Sequence, residues 1–465
     1  MTTLSELSGW LAEKLPALLD RHDVPAAGVA VLADGEVVEH AAGVLSTNTG
    51  VEATTDSVFQ IGSVTKLWTS SLVMQLVDEG AVDLDATVRT YLPDFRIADE
   101  DAAARITVRQ LLTHTSGFEG DIFTDTGVGD DCVEKYLDVL HDVPQLFPPG
   151  SMWSYNNAGF SVLGRLVEVL RGKPYDVCLR ERLIRPLGIT HAATSPYEAV
   201  LFRAAVGHIQ SAQDAPYEPA PVWALSRSNI PAGSMLAMSA RGLLSFARMH
   251  LEDGRATDGT QVLAPGTPAR MQERQVELPY LGFLGTSWGL GFERFDAPAG
   301  SVGGDIVGHD GNTIGQAAFL RIVPEAGVAV ALLTNGGNAA GLYADVVGQV
   351  LAELTSARLP ALPSPPAEPV PVDTATYLGT YSCDVADLVV SEQDGQVWLD
   401  EIPKGIAVEF GDVPSRTELV GFSDSTLIAL HPDRGMHRLY AFLGDEGAGH
   451  PAYLHTGRAL KRAGT

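Results

Sequence analysis

Short runs rich in β-branched and apolar residues stand at two places far apart in the chain. The first, residues 28–44 (GVAVLADGEVVEHAAGV), has such a run on either side of Asp34-Gly35, a pair that takes the positive φ of a tight hairpin turn. The second, residues 317–335 (AAFLRIVPEAGVAVALLTN), repeats the pattern around Pro324 to Gly327. Between them the apolar spacing changes to threes and fours in the segment after Ser63 and in TVRQLLTHTSG, AGFSVLGRLVEVLRG and SARGLLSFARMHLEDG, which predicts helices. The opening MTTLSELSGWLAEKLPALLDRHDVP reads as an amphipathic helix. The pattern predicts an α+β domain: one antiparallel sheet paired from hairpins at its two ends, with a helical region inserted between them.

A break follows at 359–373 (LPALPSPPAEPVPVD), where six prolines in fifteen residues favour an extended, semi-rigid connector. Beyond it come short alternating segments, YLGTYSC, DLVVSE and QVWLDEI, with Asp394-Gly395 as a tight turn. The expected division is a catalytic-sized domain at 1–358, a linker at 359–373 and a small all-β sheet or barrel at 374–465. A length of 465 residues agrees with more than one core.

Charge narrows the partners. Against 31 Lys and Arg stand 58 Asp and Glu, a net charge of −27 that repels phosphate backbones and anionic lipid, so neither nucleic acid nor membrane is expected as a partner. The first helix carries Glu6 and Glu13 and lacks a cationic start and a long apolar run, so it does not read as an export signal, and a cytoplasmic location is expected. Cys132, Cys178 and Cys383 are odd in number and widely spaced, which suits reduced thiols.

Three motifs carry candidate chemistry. In Gly62-Ser63-Val64-Thr65-Lys66, positions three apart on a helix ending at a Gly80 cap bring the Ser63 hydroxyl to the Lys66 amine. A serine needs an adjacent base to become a nucleophile, and an amine serves when burial or a neighbouring cation lowers its pKa. In FPPGSMWSYNNAGF, the Tyr155 phenol could take the serine proton if nearby cations lower its own pKa, and the Asn157 amide could bond both a lysine and a substrate carbonyl. The same residues also read as a helix cap, Asn156 or Asn157 capping with Tyr155 in the core. In Gly308-His309-Asp310-Gly311-Asn312, Gly311 could let a substrate backbone lie against a strand edge, and the Asn312 N–H could be an oxyanion donor beside that of Ser63. His309 could supply polarity or a proton there.

Gly285-Thr286-Ser287-Trp288-Gly289 matches the G-x-S-x-G nucleophile elbow, but LGFERFDAPAG after it is strand-like, so the helix that the elbow requires is missing. Metal-binding spacings, phosphate loops and dinucleotide fingerprints are absent from the sequence, so no cofactor is expected.

The order Ser63/Lys66, Tyr155/Asn157 and His309-Asp310-Gly311 resembles the S-x-x-K, Y-x-N and K-T-G pattern of the penicillin-recognising serine hydrolases, a family of class C β-lactamases, DD-peptidases, esterases, D-amino-acid amidases and penicillin-binding-protein-type thioesterases. LLTHTSGF and PAGSMLAMSARGLLSFA resemble its framework segments. The resemblance implies a β-lactamase-like fold, acylation of Ser63, proton work shared by Lys66 and Tyr155, orientation by Asn157, and an oxyanion hole from the Ser63 and Asn312 amides. His309 stands where lactamases carry lysine, and a histidine, mostly neutral at pH 7, holds a substrate carboxylate less firmly. Strong β-lactam hydrolysis is not expected.

A proline linker before a small β domain resembles the penicillin-binding-protein-type thioesterases, whose C-terminal domain is lipocalin-like. That resemblance implies a peptide acyl donor (thioester, ester or amide) with a D-residue at its acylating end, delivered by a peptidyl carrier protein and released as a head-to-tail macrocycle. An esterase or D-aminopeptidase using water, and a non-catalytic binding relative, are the alternatives.

Overall fold

In the computed structural model, the chain is described over residues 3–210, 215–297, 303–409, 413–433, 436–445 and 449–463. Helix α1 (Leu4–Arg21) opens with a capping box in which Thr3 and Glu6 satisfy each other's backbone amides. It leads into β1 (Ala26–Ala33) and β2 (Glu36–Gly43), joined by Asp34 and Gly35 at φ 52° and 77°, the doubly left-handed turn that the pair favours. The later hairpin forms β7 (Gln316–Val323) and β8 (Val328–Thr334), and β8 pairs with β1 in register Ala27 to Thr334. The two ends of the domain thus meet in one antiparallel sheet.

That sheet has eight strands in the order β2-β1-β8-β7-β6-β5-β4-β3, with β3 at Val276–Glu277, β4 at Ser287–Trp288, β5 at Glu293–Phe295 and β6 at Ile306–Thr313. The edge strands β3 to β5 are only two or three residues long, too short to show an alternating pattern in sequence. One face is covered by α1 and by α5 (Ala339–Leu354), which bury Leu11, Leu15, Val346 and Val350 against Val29, Val31 and Leu332. The other face presents Ala30, Leu32, Leu320 and Leu333 to the helical region, where α2 (Thr65–Asp78), α3 (Asn157–Arg171) and α4 (Ala240–Leu251) lie. Helix α2 runs through this core with Thr65 to Leu76 all buried and ends before Gly80 at φ 73°.

Residues 359–373 contain neither helix nor strand, and the Val370 amide donates to Gly421 on the following domain. That domain is a closed barrel of eight antiparallel strands, β9 (Gly379–Ser382), β10 (Ala386–Gln393), β11 (Gln396–Pro403), β12 (Ser415–Ser423), β13 (Thr426–Ala429), β14 (Leu439–Leu443), β15 (Tyr453–His455) and β16 (Ala459–Arg462). Pairing of β9 with β16 closes it, so among the described residues no strand edge of the barrel is left open. Its core is its own, built from Tyr381, Leu388, Leu399, Leu427, Phe442 and Leu454.

Candidate active site

Ser63 occupies a single 3-10 turn, Gly62–Val64, at the head of α2. Three glycines let other backbones press onto this turn. A Cβ on Gly62 would lie 2.6 Å from the Asn312 nitrogen, one on Gly311 would lie 1.9 Å from the Ile61 carbonyl oxygen, and one on Gly233 would lie 2.2 Å from the Gly62 carbonyl oxygen. Strand β6 and the 231–234 segment therefore touch the nucleophile turn main chain to main chain. The Ser63 and Asn312 residues both line the resulting pocket, of about 320 Å3. The missing Gly311 side chain admits the Ser63 turn.

Beneath Ser63, Lys66 is wholly buried. Its Nζ lies 3.0 Å from Ser63 Oγ, 2.7 Å from Asn157 Oδ1 and 2.7 Å from the Ala232 carbonyl oxygen. Burial, assisted by the positive charge of Arg458, holds the amine well below the usual lysine range. A neutral amine has two N–H bonds and one lone pair. The two carbonyl oxygens can only accept, so both protons go to Asn157 and Ala232, and the lone pair is left for the Ser63 hydroxyl. The three neighbours thus aim a base at the nucleophile.

Asn156 caps α3 by accepting from the Gly159 amide at 2.7 Å, which leaves Asn157 on the first turn facing Lys66. The Asn157 amide nitrogen donates to Asp121 Oδ1 at 2.7 Å, which fixes which end of the side chain meets the lysine. Tyr155, just before the cap, stacks on His114 with ring centroids 4.3 Å apart, and Lys66 Nζ lies 4.8 Å from its ring centre. Burial raises the phenol's pKa, more than its contact with Ser63 and the charge of Arg458 lower it. Tyr155 is therefore a proton-bearing phenol at rest, suited to donate or relay a proton, whereas the Lys66 lone pair is placed to accept one.

His309, on β6, lines the same pocket. Burial pushes its pKa down to about 3, so it is a neutral imidazole. Its Nδ1 sits 2.5 Å from the Asp310 carbonyl oxygen and must carry the proton, which leaves Nε2 as a bare lone pair with no hydrogen-bond partner among the described residues.

Ser287 is elsewhere. On β4 its hydroxyl donates to Asp296 at 2.6 Å and accepts from Arg294 at 3.2 Å, it does not line the pocket, and the strand is followed by another strand and not a helix.

The pocket also has a wall that sequence reasoning missed. The turn between β15 and β16 enters it: the Gly457 carbonyl accepts from the Tyr155 amide at 3.0 Å, and Arg458 donates to Asp121 through Nε at 2.8 Å and Nη2 at 3.3 Å while its guanidinium lies 4.7 Å from the Tyr155 ring centre. Neighbouring contacts hold that turn. The His455 Nε2 donates to the Trp153 carbonyl at 2.9 Å and its Nδ1 accepts from the Gly457 amide, and the Ala459 amide donates to Ser154 Oγ. The one available signal was a Gly-Arg pair between two alternating segments, which names a turn but not its destination. Trp153, Trp288, Phe283 and Leu284 add apolar walls. A second hollow of about 1160 Å3 adjoins: Phe123 and Leu225 line both, and Asp384, Val385 and Gly405 of the barrel domain form part of its side.

Among the described residues no group of three or more His, Cys, Asp or Glu side chains is disposed to hold a metal ion, and no helix is long and apolar enough to cross a membrane. Cys132, Cys178 and Cys383 are free thiols.

Residues 11–352 match the family model described as Beta-lactamase. The chain is 46% identical over 371 residues to Penicillin-binding protein 4 of Amycolatopsis lactamdurans, covering 79% of this chain and 96% of that one. Among solved structures it is similar to SurE, at 30% identity and TM-score 0.79, with 99% of both chains covered, barrel included. It is also similar to SurE solved with D-Leu, at 28% identity and TM-score 0.75, with 99% of this chain and 100% of that one covered. With a serine, a buried lysine, a tyrosine and an asparagine gathered at one pocket, the chain belongs to the beta-lactamase family and is a penicillin-recognising serine hydrolase.

Proposed function

We propose that the protein is a serine acyltransferase that forms an acyl-enzyme on Ser63 and passes the acyl group to an amine, releasing a peptide as a head-to-tail macrocycle. Lys66 takes the Ser63 proton as the hydroxyl attacks the donor carbonyl, and the Ser63 and Asn312 amides receive the oxyanion. Tyr155 protonates the leaving group, Asn157 keeps Lys66 aimed, and Asp121 keeps Asn157 aimed. The observation that carries the reading is the buried Lys66 amine, whose two other neighbours are hydrogen-bond acceptors and which therefore offers its lone pair to Ser63.

Two further features support transfer to an amine over hydrolysis. The wall formed by Gly457 and Arg458 makes the pocket a joint product of both domains, and SurE is similar over both. The adjoining hollow of about 1160 Å3 exceeds the usual range for small-molecule sites and has room for the body of a peptide. D-Leu in the SurE structure supports a D-residue at the acylating end. A peptidyl carrier protein is the proposed source of the donor, in the cytoplasm. The test is a linear peptide thioester ending in a D-residue. Thiol release with a mass shift on Ser63 and a cyclic product is expected. Linear acid as the sole product from every amine-bearing peptide gives the activity to an esterase or D-aminopeptidase, and no acylation of Ser63 overturns the reading.

A further inference from the structure

Glu293 is a buried carboxylate in the catalytic pocket to which the acylation chemistry gives no task. It stands on β5, 2% exposed, paired in register with Gly308, and lines the same pocket as Ser63, Tyr155 and His309. One oxygen accepts from the Gly285 amide at 2.9 Å. The other is 4.0 Å from Arg321 Nη2, a distant contact, because Arg321 spends itself on Asp310 at 2.6 Å and on the Tyr343 hydroxyl at 2.8 Å. A buried carboxylate so incompletely paired costs stability.

The charges at this edge favour a cation. Glu293 and Asp310 both line the pocket and share a single arginine, so the wall lacks one positive charge when both carboxylates are ionised. Across the pocket Arg458 is already matched by Asp121. In the same pocket, His309 Nε2 is a buried lone pair without a partner among the described residues, and it can accept only from an N–H or O–H. An incoming ammonium supplies both the missing charge and the missing donor.

We propose that Glu293 and Asp310, with His309 Nε2, form an acceptor subsite that binds the nucleophile as its ammonium and takes its first proton. This rests on the acyl-enzyme reading above and names its acceptor. In the step, the ammonium gives one proton to Glu293 and the free amine attacks the ester carbon on Ser63. As the C–N bond forms and the C–Oγ bond breaks, the second amine proton passes through Tyr155 and Lys66 to Ser63 Oγ. Glu293 then returns its proton to solvent. Burial and the like charge of Asp310 lift the Glu293 carboxyl to about 7 against the pull of Arg321, which suits a group that accepts and releases a proton near neutrality. The groups facing it are Asp310 on β6, Arg321 on β7, Tyr343 on α5 and Tyr155.

The test is the ratio of amide to acid formed from one acyl thioester offered to the Glu293→Gln variant, with an amino-acid amide or with methanol as acceptor. Because both products come from one acyl-enzyme, the ratio is independent of how much enzyme is acylated. With the amine it is expected to fall about tenfold or more, and with methanol the ester-to-acid ratio is expected to hold. An unchanged amide ratio, or an equal fall with methanol, overturns the subsite. Absence of thiol release and of a mass shift on Ser63 in the unaltered enzyme overturns the acyl-enzyme reading instead. Should Glu293→Gln fail to fold by circular dichroism, the unaltered enzyme decides: its amide ratio must drop as pH falls through about 7, more steeply than protonation of the free amine accounts for. Asp310→Asn, which removes the charge that raises Glu293, must move that drop to lower pH. A ratio that tracks only the free amine, or a drop that does not move, rejects the proposal.

Discussion

Ser63, Lys66 and Asn157 are set by α2 and α3 inside one continuous core, whereas Gly457 and Arg458 reach the pocket on a turn between two barrel strands. On the first side every polar partner is within one domain and the lysine is fully buried. On the second the bonds cross domains, from His455 to Trp153 and from Arg458 to Asp121, and Arg458 remains partly exposed. The difference separates two arrangements: the core side brings a hydroxyl and a buried amine together, while the barrel side adds a cation and a wall. Arg458 is the link, since its cation lowers the pKa of Lys66 without touching it.

Breaking the core side is expected to have the largest effect. Ser63→Ala or Lys66→Met should each reduce kcat/KM by about ten-thousandfold, and loss of both should cost little more than one, because they act as a unit. Steady-state thioester cleavage measures this, and additive losses would disprove a shared step. Altering the barrel side should be milder and different in kind. Arg458→Ala is expected to lower kcat/KM about ten- to a hundredfold. It should also move the acid limb of the pH profile to higher pH, since Lys66 loses a cation that depresses it and keeps Asp121, which raises it. Arg458→Lys should restore the limb in part. An unmoved limb would confine Arg458 to packing.

A third expectation concerns how the joint responds to acid. His455, at the barrel side, is pushed down to about 4 by burial, and His250 and His309, in the catalytic domain, to about 3. Below the ordinary value of 6.5 the unfolded chain binds protons that the folded chain refuses, so these groups lose stability for the fold as pH falls from 6.5 toward 4, each by up to about 1.4 kcal/mol per pH unit. Glu119, Glu168 and Glu293, raised by burial, work in the opposite direction. Melting temperature against pH measures the balance, and His455→Gln should flatten the acid slope by one group's share. The smallest effect is expected at Ser287→Ala, less than about threefold in kcat/KM, because that hydroxyl serves an Asp296–Arg294 pair outside the pocket.

What could be read from sequence was local. Ser63 and Lys66 lie one helical turn apart, Asn156 and Asn157 begin a helix, and Asp34-Gly35 and Asp394-Gly395 turn hairpins; each is a matter of a few bonds. Pairing of the two distant hairpins followed from apolar runs that each need a neighbour. The fit of Arg458 to Asp121, 337 positions apart, leaves no trace in spacing or periodicity. Glu293 was hidden similarly, on a three-residue strand. At Gly311, sequence reveals that a side chain is absent but not that the Ile61 carbonyl lies against it.

For anyone diversifying this scaffold toward new peptides, the contacts at Gly62, Gly233 and Gly311 mark fixed points. Main chain meets main chain there, so any larger residue forces the loops apart and no compensating side chain can be trimmed. Variation is better placed at side chains that line the pocket, such as Leu225 and Phe283.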